Sequence, residues 1–263
     1  MFRYFKLYQQ FVRINWKLLF AYRASLLNHV VNSLTWSGFL FISVLLLTNK
    51  VSSIAGWDRN ALLLLAGMYN LVMGIYHSIF AKSLHGMAEI VLYGKLDAYL
   101  LKPFDSQFHL SLREVNIPGF LRCVIGIIMV AVLAPQNHIV LTVSTLVLFL
   151  LTLTISVVFL YSSWFSTLTL LIWFPRMDNL IDLMYGTSGL GRYPKEVIAP
   201  FHGTFMFFLL LPFFLVVSIP TKVLLDSANY LEIGLLSLLA VFFLFFSRYF
   251  WKFALRSYSG GSV

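Results

Sequence analysis

The sequence predicts an all-α integral membrane protein, and three observations carry that prediction. Apolar residues make up 60% of the chain and charged residues 11%, where a soluble domain has about 25% charged residues. Several apolar runs approach or exceed the ~20 residues that cross a bilayer as a helix. The runs are continuous and lack the alternating pattern of a membrane barrel. The net charge of +9 points away from nucleic acid, because basic residues flank membrane spans on their cytoplasmic side. Cys123 is the one cysteine and sits inside an apolar run, which excludes an intramolecular disulfide and a cysteine metal site. No metal site is expected, and no cleavable signal peptide.

The chain reads as a single transmembrane domain over 1–263 with six spans. Residues 3–22, inside an amino-terminal segment 1–23, form an amphipathic helix. Arg3, Lys6, Gln10, Arg13 and Lys17 share one face, and Tyr4, Leu7, Phe11, Leu18 and Tyr22 the other. A basic face opposite an aromatic one suits a helix lying in the membrane interface on anionic lipid. Leu26–Thr48 is the first span. Its Asn28, Asn32 and Thr35 follow i, i+4, i+7 spacing with His29 beside them. Such a stripe either makes hydrogen bonds between helices or lines a transport path or dimer interface. A polar loop, 51–59, leads to the second span, 61–80, where Gly67, Asn70 and Gly74 allow close packing.

Segment 82–119 is different in kind: polar, charged with both signs, and broken by Gly86, Gly94, Pro103 and Pro118. Helices are expected to about Tyr93, from Leu96 to Lys102, and from an Asp105 N-cap to about Glu114. The third span covers about 117–134, with Arg122 near its cytoplasmic end, where it can snorkel. Residues 139–172 form one long apolar stretch, read as a helix that projects beyond the membrane and turns at 174–178, where Pro175 breaks it. Asn179–Leu190 is a short fifth span, ended at the outer surface by Arg192-Tyr193-Pro194-Lys195. Pro200, Pro212 and Pro220 interrupt the next apolar stretch, so 195–226 is read as two broken half-helices dipping back into the outer leaflet. Leu231–Phe250 is the last span.

With both termini cytoplasmic, 14 of the Lys and Arg residues fall inside and 5 outside, as the positive-inside rule requires. A full span over 197–225 would carry the basic carboxyl end to the wrong side.

The order of these parts resembles the permease subunit of type-2 ABC exporters, and within that class a small bacterial permease family. The residues carrying the resemblance are Gly94, Leu96, Asp97, Leu100, Leu101 and Pro103 in the pattern G-x-L-D-x-x-L-L-x-P. Ile172-Trp173, Arg192-Tyr193-Pro194, Ile219-Pro220 and Leu224-Leu225 follow. Phe-Trp is the expected family pair at Ile172-Trp173, and Pro175 departs from the pattern. The resemblance implies a multi-pass protein of the bacterial inner membrane that dimerises with itself or a sister permease and works with two separate ABC ATPase subunits. Those subunits would bind ATP and Mg, with no cofactor in this chain. Segment 82–119 would contain the coupling helices, with Gly94, Leu96, Asp97, Leu101, Lys102 and Pro103 meeting the ATPase. Tyr193, Pro194, Pro212 and Pro220 would shape the re-entrant region.

The chain has no G-x-x-x-x-G-K-[ST] loop, so it is not itself the motor. Two other classes compete. A lipid-modifying membrane enzyme would cluster carboxylates or histidines near the interface, but here they are scattered, and Asp178 and Asp182 flank a turn beside Arg176. A secondary transporter would show internal repeats and ionisable residues at mid-membrane, where this sequence places almost no charge. The aromatic-rich spans and scarce buried charge favour a hydrophobic or amphiphilic cargo, with membrane lipid as the other contact.

Overall fold

The computed structural model describes residues 2–21, 23–51, 53–177, 179–201, 203–258 and 260. Tyr22, Asp178 and the side chains of Arg3 and His29, on which parts of the helix-face and acid-pair readings rest, lie outside the described residues. Among the described residues, eleven α-helices make up the frame: α1 (Phe2–Ala21), α2 (Arg23–Thr48), α3 (Arg59–Tyr76), α4 (Lys82–Leu92), α5 (Asp97–Leu100), α6 (Ser106–Leu112), α7 (Gly119–Leu133), α8 (Val143–Thr169), α9 (Asn179–Gly189), α10 (Phe205–Leu224) and α11 (Tyr230–Ser257). Short 3-10 turns follow α7, α8 and α9, and another covers Lys195–Phe201.

Five stretches among the described residues are long and apolar enough to cross a membrane: 26–48, 59–92, 143–172, 205–224 and 230–257. The expected third and fifth spans are shorter, at 15 residues in α7 and 11 in α9.

α3 is the central element. It is apolar all round, as a helix surrounded by others must be, and nearly all its residues from Ala61 to Tyr76 are buried. It starts cleanly because the Asp58 side chain accepts from the Ala61 N–H. Before it, Ser53–Ile54 and Trp57–Asp58 pair as an antiparallel hairpin, where a plain loop was expected. Ala55 and Gly56 both adopt positive φ at its tip, as a two-residue turn of this hand requires.

α7 packs against α3 at backbone distance. A Cβ on Gly126 would lie 2.5 Å from the Leu71 nitrogen, and one on Gly74 would lie 2.6 Å from the Cys123 nitrogen. α8 and α10 close the core from the other side. α11 lies on α8 through Phe159–Phe243 and Phe165–Trp251 contacts at 5.5 and 5.3 Å between ring centroids.

The α3 helix does not stop where the second span is expected to end. It runs through a π segment, His77–Ala81, into α4 without leaving helical geometry. As expected, α8 is one helix, with the turn around Pro175.

The proline-rich stretch differs from expectation. α10 is one continuous helix through Pro212 and Pro220, both buried, and not two half-helices. Helical prolines are tolerated inside membrane proteins where they are packed against neighbouring helices, and both of these are buried; next to Pro220, the Thr221 hydroxyl adds a bond to the Val217 carbonyl at 2.7 Å. The chain does turn back before it. The Lys195 N–H donates to Ser218 Oγ at 3.2 Å, and Ile198 packs with Phe207 and Phe214, so 195–201 runs antiparallel to α10.

One end of the bundle is closed by charge. Lys222 pairs with Glu196 at 2.6 Å and with Glu232 at 3.6 Å, Lys195 also pairs with Glu232, and the buried Trp57 indole N–H donates to Glu196 at 2.9 Å. Glu196→Ala orphans that indole and loosens Lys222, an expected loss of ~1–3 kcal/mol. A lower thermal midpoint of the detergent-purified chain checks it.

Candidate functional site

The opposite end of the bundle carries α1 and segment 82–119. Gly94 stops the α4 run with φ +63°, a conformation that glycine adopts without penalty. The Asp105 carboxylate caps α6 by accepting from the Phe108 N–H at 3.0 Å. Arg113 holds the segment together. Its guanidinium donates to the Tyr99 hydroxyl, pairs with Glu114 at 2.8 Å, and lies across α4 at Gly86, where a Cβ would have no room.

α1 docks on α6. Phe11 stacks on His109 at 5.4 Å, Tyr4 meets Phe108 edge-on at 4.9 Å, and Asn15 donates to the Arg113 carbonyl at 3.2 Å. The aromatic face expected to lie on lipid thus contributes Tyr4 and Phe11 to protein contacts. Asn15 completes the joint and had not been singled out. Phe5, Ile14, Trp16 and Leu18 are among the exposed apolar side chains of this helix.

Burial, with Lys102 and Arg113 adding to it, pushes His109 from 6.5 down to about 4. The unfolded chain therefore takes up this proton first, and stability falls as pH drops from 6.5 towards 4. The protection of α1 amides, taken as the exchange rate relative to the intrinsic rate at each pH, is expected to fall between pH 6.5 and 4.5, and His109→Gln is expected to flatten that response.

At the tip of the segment, Leu101 is 86% exposed, and Asp97, Lys102 and Pro103 stand around it, exposed as well. Leu96 is fully buried. It anchors α5 to the core and is not on that surface, contrary to its expected place in the contact.

Behind the tip, α6 is joined to two long helices. Asp105 forms an ion pair with Arg248 of α11, and the Trp251 indole donates to Ser106 at 3.0 Å. Gln107 donates to the Tyr161 hydroxyl of α8 at 3.3 Å and to Ser247 at 3.4 Å. Burial pushes the Asp105 carboxyl up, but hydrogen bonds from Arg248 and the Phe108 N–H outweigh it and hold the group below its ordinary value.

A family model described as ABC-2 family transporter protein matches residues 34–262. The chain belongs to that family. No curated protein and no solved structure matches it.

The second feature of this ABC-2 permease is a cavity of about 580 Å³ between α2, α3, α7 and α9. Asn32 of the α2 stripe lines it, with Trp36 and Phe39 at its rim. Asn28 and Thr35 are exposed on α2 and take no part in it. Behind its wall, and not among its lining residues, the buried Asn70 carbonyl oxygen accepts from Ser37 of α2 at 2.9 Å and from Arg122 Nε of α7 at 3.1 Å. Arg122 therefore turns inward and does not snorkel.

Arg192 is also inside. The Arg122 and Arg192 guanidinium carbons lie 5.2 and 5.5 Å from the Tyr69 ring centroid. The chain gets there because Gly191 abuts both α10 and the Tyr69 ring, leaving no space for a side chain. At 1.5 Å per residue, Asn70 is about 16 Å along α3 from Arg59, about half the depth of a ~30 Å hydrocarbon core. Two arginines expected at opposite surfaces thus meet over the Tyr69 ring inside the permease, where almost no charge was expected.

Of the remaining residues expected to matter, Tyr193 is exposed, while Pro194, Pro212 and Pro220 are buried supports of the turn and of α10.

Proposed function

We propose that this permease is the membrane subunit of an ATP-driven exporter that moves a hydrophobic or amphiphilic substrate from the cytoplasm or inner leaflet. It has no catalytic site of its own. Separate ABC ATPase subunits, two per working dimer, bind ATP and Mg and supply the energy. The chain crosses the bacterial inner membrane six times, with both termini and segment 82–119 in the cytoplasm and 195–226 turning back before the last span.

The observation that carries this reading is the tip formed by Leu101, Asp97 and Lys102. A leucine 86% exposed between two opposite charges suits a cleft on a partner, where its burial would contribute about 1.5–3 kcal/mol. ATPase closure would push on α5 and α6. The Asp105–Arg248 pair and the Gln107–Tyr161 bond pass that push to α11 and α8. α2 supports the dimer: its apolar side chains, among them Leu27, Val31, Leu34 and Ile42, are exposed, and Asn28 and Thr35 lie on it, ready to face a second copy or a sister permease.

The test is purification of the tagged chain from native membranes in mild detergent, with ATP hydrolysis assayed in the eluate. An ABC ATPase is expected to co-purify with the wild type and to fall at least about ten-fold with Leu101→Glu or Asp97→Arg, a loss of ~1.4 kcal/mol or more. A chain that brings down no ATPase, or variants that bring it down unchanged, overturns the reading.

A further inference from the structure

The cavity beside Tyr69 has a charge pattern that the expected cargo does not explain. Arg122 and Arg192 converge in it, with His77 and His85 on the adjoining wall, and none of its lining residues is Asp or Glu. Neither arginine forms an ion pair among the described residues, and Arg192 Nε is buried without a hydrogen-bond partner. Lys82 at the inner edge is already paired with Glu114 at 3.6 Å. Asp182, one turn before Tyr185 on α9, is exposed and does not line the cavity.

Two guanidinium groups sharing one tyrosine ring repel each other. In a low-dielectric setting an uncompensated charge costs several kcal/mol. The ring quadrupole offsets part of that, and the neutral Asn70 amide orients Arg122 without neutralising it. A single anion entering between the two groups would remove the repulsion and take up the unused N–H donors, and the planar guanidinium suits the oxygens of phosphate, sulfate or carboxylate. The rim is apolar: Trp36 and Phe39, 55% and 62% exposed, stand on α2 beside the cavity. A molecule with its charge at the arginines would leave its tail against these rings.

We infer that the cavity is the binding site for an amphiphile with an anionic headgroup, held by Arg122 and Arg192 near mid-membrane. This rests on the exporter reading only in taking the bound molecule as cargo. The site itself requires no ATPase.

Binding to the full chain in neutral maltoside micelles, followed by native mass spectrometry, tests it with three probes. Dioctanoyl phosphatidic acid has both charge and tail, dioctanoyl phosphatidylcholine has the same tails on a zwitterionic head, and inorganic phosphate has charge alone. Phosphatidic acid is expected to bind at least about ten-fold tighter than either of the others, the difference that charge-assisted hydrogen bonds supply. Arg192→Gln is expected to erase that preference and Arg192→Lys to keep most of it. Asn70→Asp, which sets a carboxylate beside Arg122, is expected to weaken binding as well.

Equal binding of the two lipids by the wild type overturns the proposal. So does inorganic phosphate binding as tightly as phosphatidic acid, which would make the site one for a soluble anion, and so does a preference untouched by Arg192→Gln. If an ATPase co-purifies while the wild type shows no preference, the exporter reading stands and this site falls. A preference without any ATPase partner gives the reverse.

Discussion

Gly126→Val is expected to remove the folded protein from the membrane. The new Cβ would lie 2.5 Å from the Leu71 nitrogen and 2.8 Å from its Cα. The obstacle is the backbone of the central helix, so no rotamer change relieves it, and α3 and α7 must separate. Without a hydrophobic drive between helices in lipid, their association rests on such close approach. The expected loss is at least ~3 kcal/mol, at the severe end for overpacking. Gly74→Val is expected to act alike, against Cys123. Gly38→Ala and Gly234→Ala are the controls: nothing lies within 4 Å of a Cβ at either position, and helix propensity favours alanine by up to about 1 kcal/mol. Yield of monodisperse protein on size exclusion and its thermal midpoint would separate the two pairs.

The second large effect is on coupling. In the proposed exporter, Arg248→Glu sets a carboxylate against Asp105 and breaks the joint between α6 and α11. It also removes the Arg248 bond to Gln107 at 3.3 Å. ATP-driven transport is expected to fall at least about ten-fold, since breaking a partly buried pair costs a few kcal/mol, while the ATPase stays bound because Leu101 and Asp97 are untouched. Adding Asp105→Arg restores opposite charges and is expected to recover part of the activity. Recovery is incomplete because arginine cannot cap α6, which costs ~1 kcal/mol. A double-mutant cycle on transport rate, with hydrolysis measured alongside, isolates the pair. Transport unchanged in Arg248→Glu would show that the push travels elsewhere.

Local chemistry made much of this legible from sequence. The long apolar runs appear as α2, α3, α8 and α11. Gly94 and Asp105 mark the breaks in segment 82–119, because positive φ and an accepting N-cap are properties of single residues. The docking of α1 was half legible: the faces were seen, but Asn15 was not, since an asparagine on an amphipathic helix reads as solvated until a carbonyl meets it.

The cavity was not legible. Arg122 and Arg192 each sit at the end of an apolar run, where snorkelling is the ordinary reading, and only the packing of Gly191 against Tyr69 and α10 brings them together. The continuity of α10 was missed for a related reason. Proline breaks a helix in water, but α10 continues through Pro212 and Pro220, both packed inside the bundle. Leu96 was misplaced because a pattern of letters does not say which of its leucines points inwards.

The π segment at His77–Ala81 has a mechanical consequence. The rod from Arg59 to Leu92 joins the hairpin end of the molecule to the end that carries segment 82–119, about 50 Å away at 1.5 Å per residue. Its one irregular turn is where helices kink most readily. That turn also borders the cavity: His77 and Ala81, its first and last residues, line it, and Lys82 and His85 of α4 follow. A rod with one elbow converts a tilt at its lower arm into a change of angle at the elbow. A swing of α4 about that turn would alter the distance from His85 to Arg122, and the volume of the cavity would follow the position of segment 82–119.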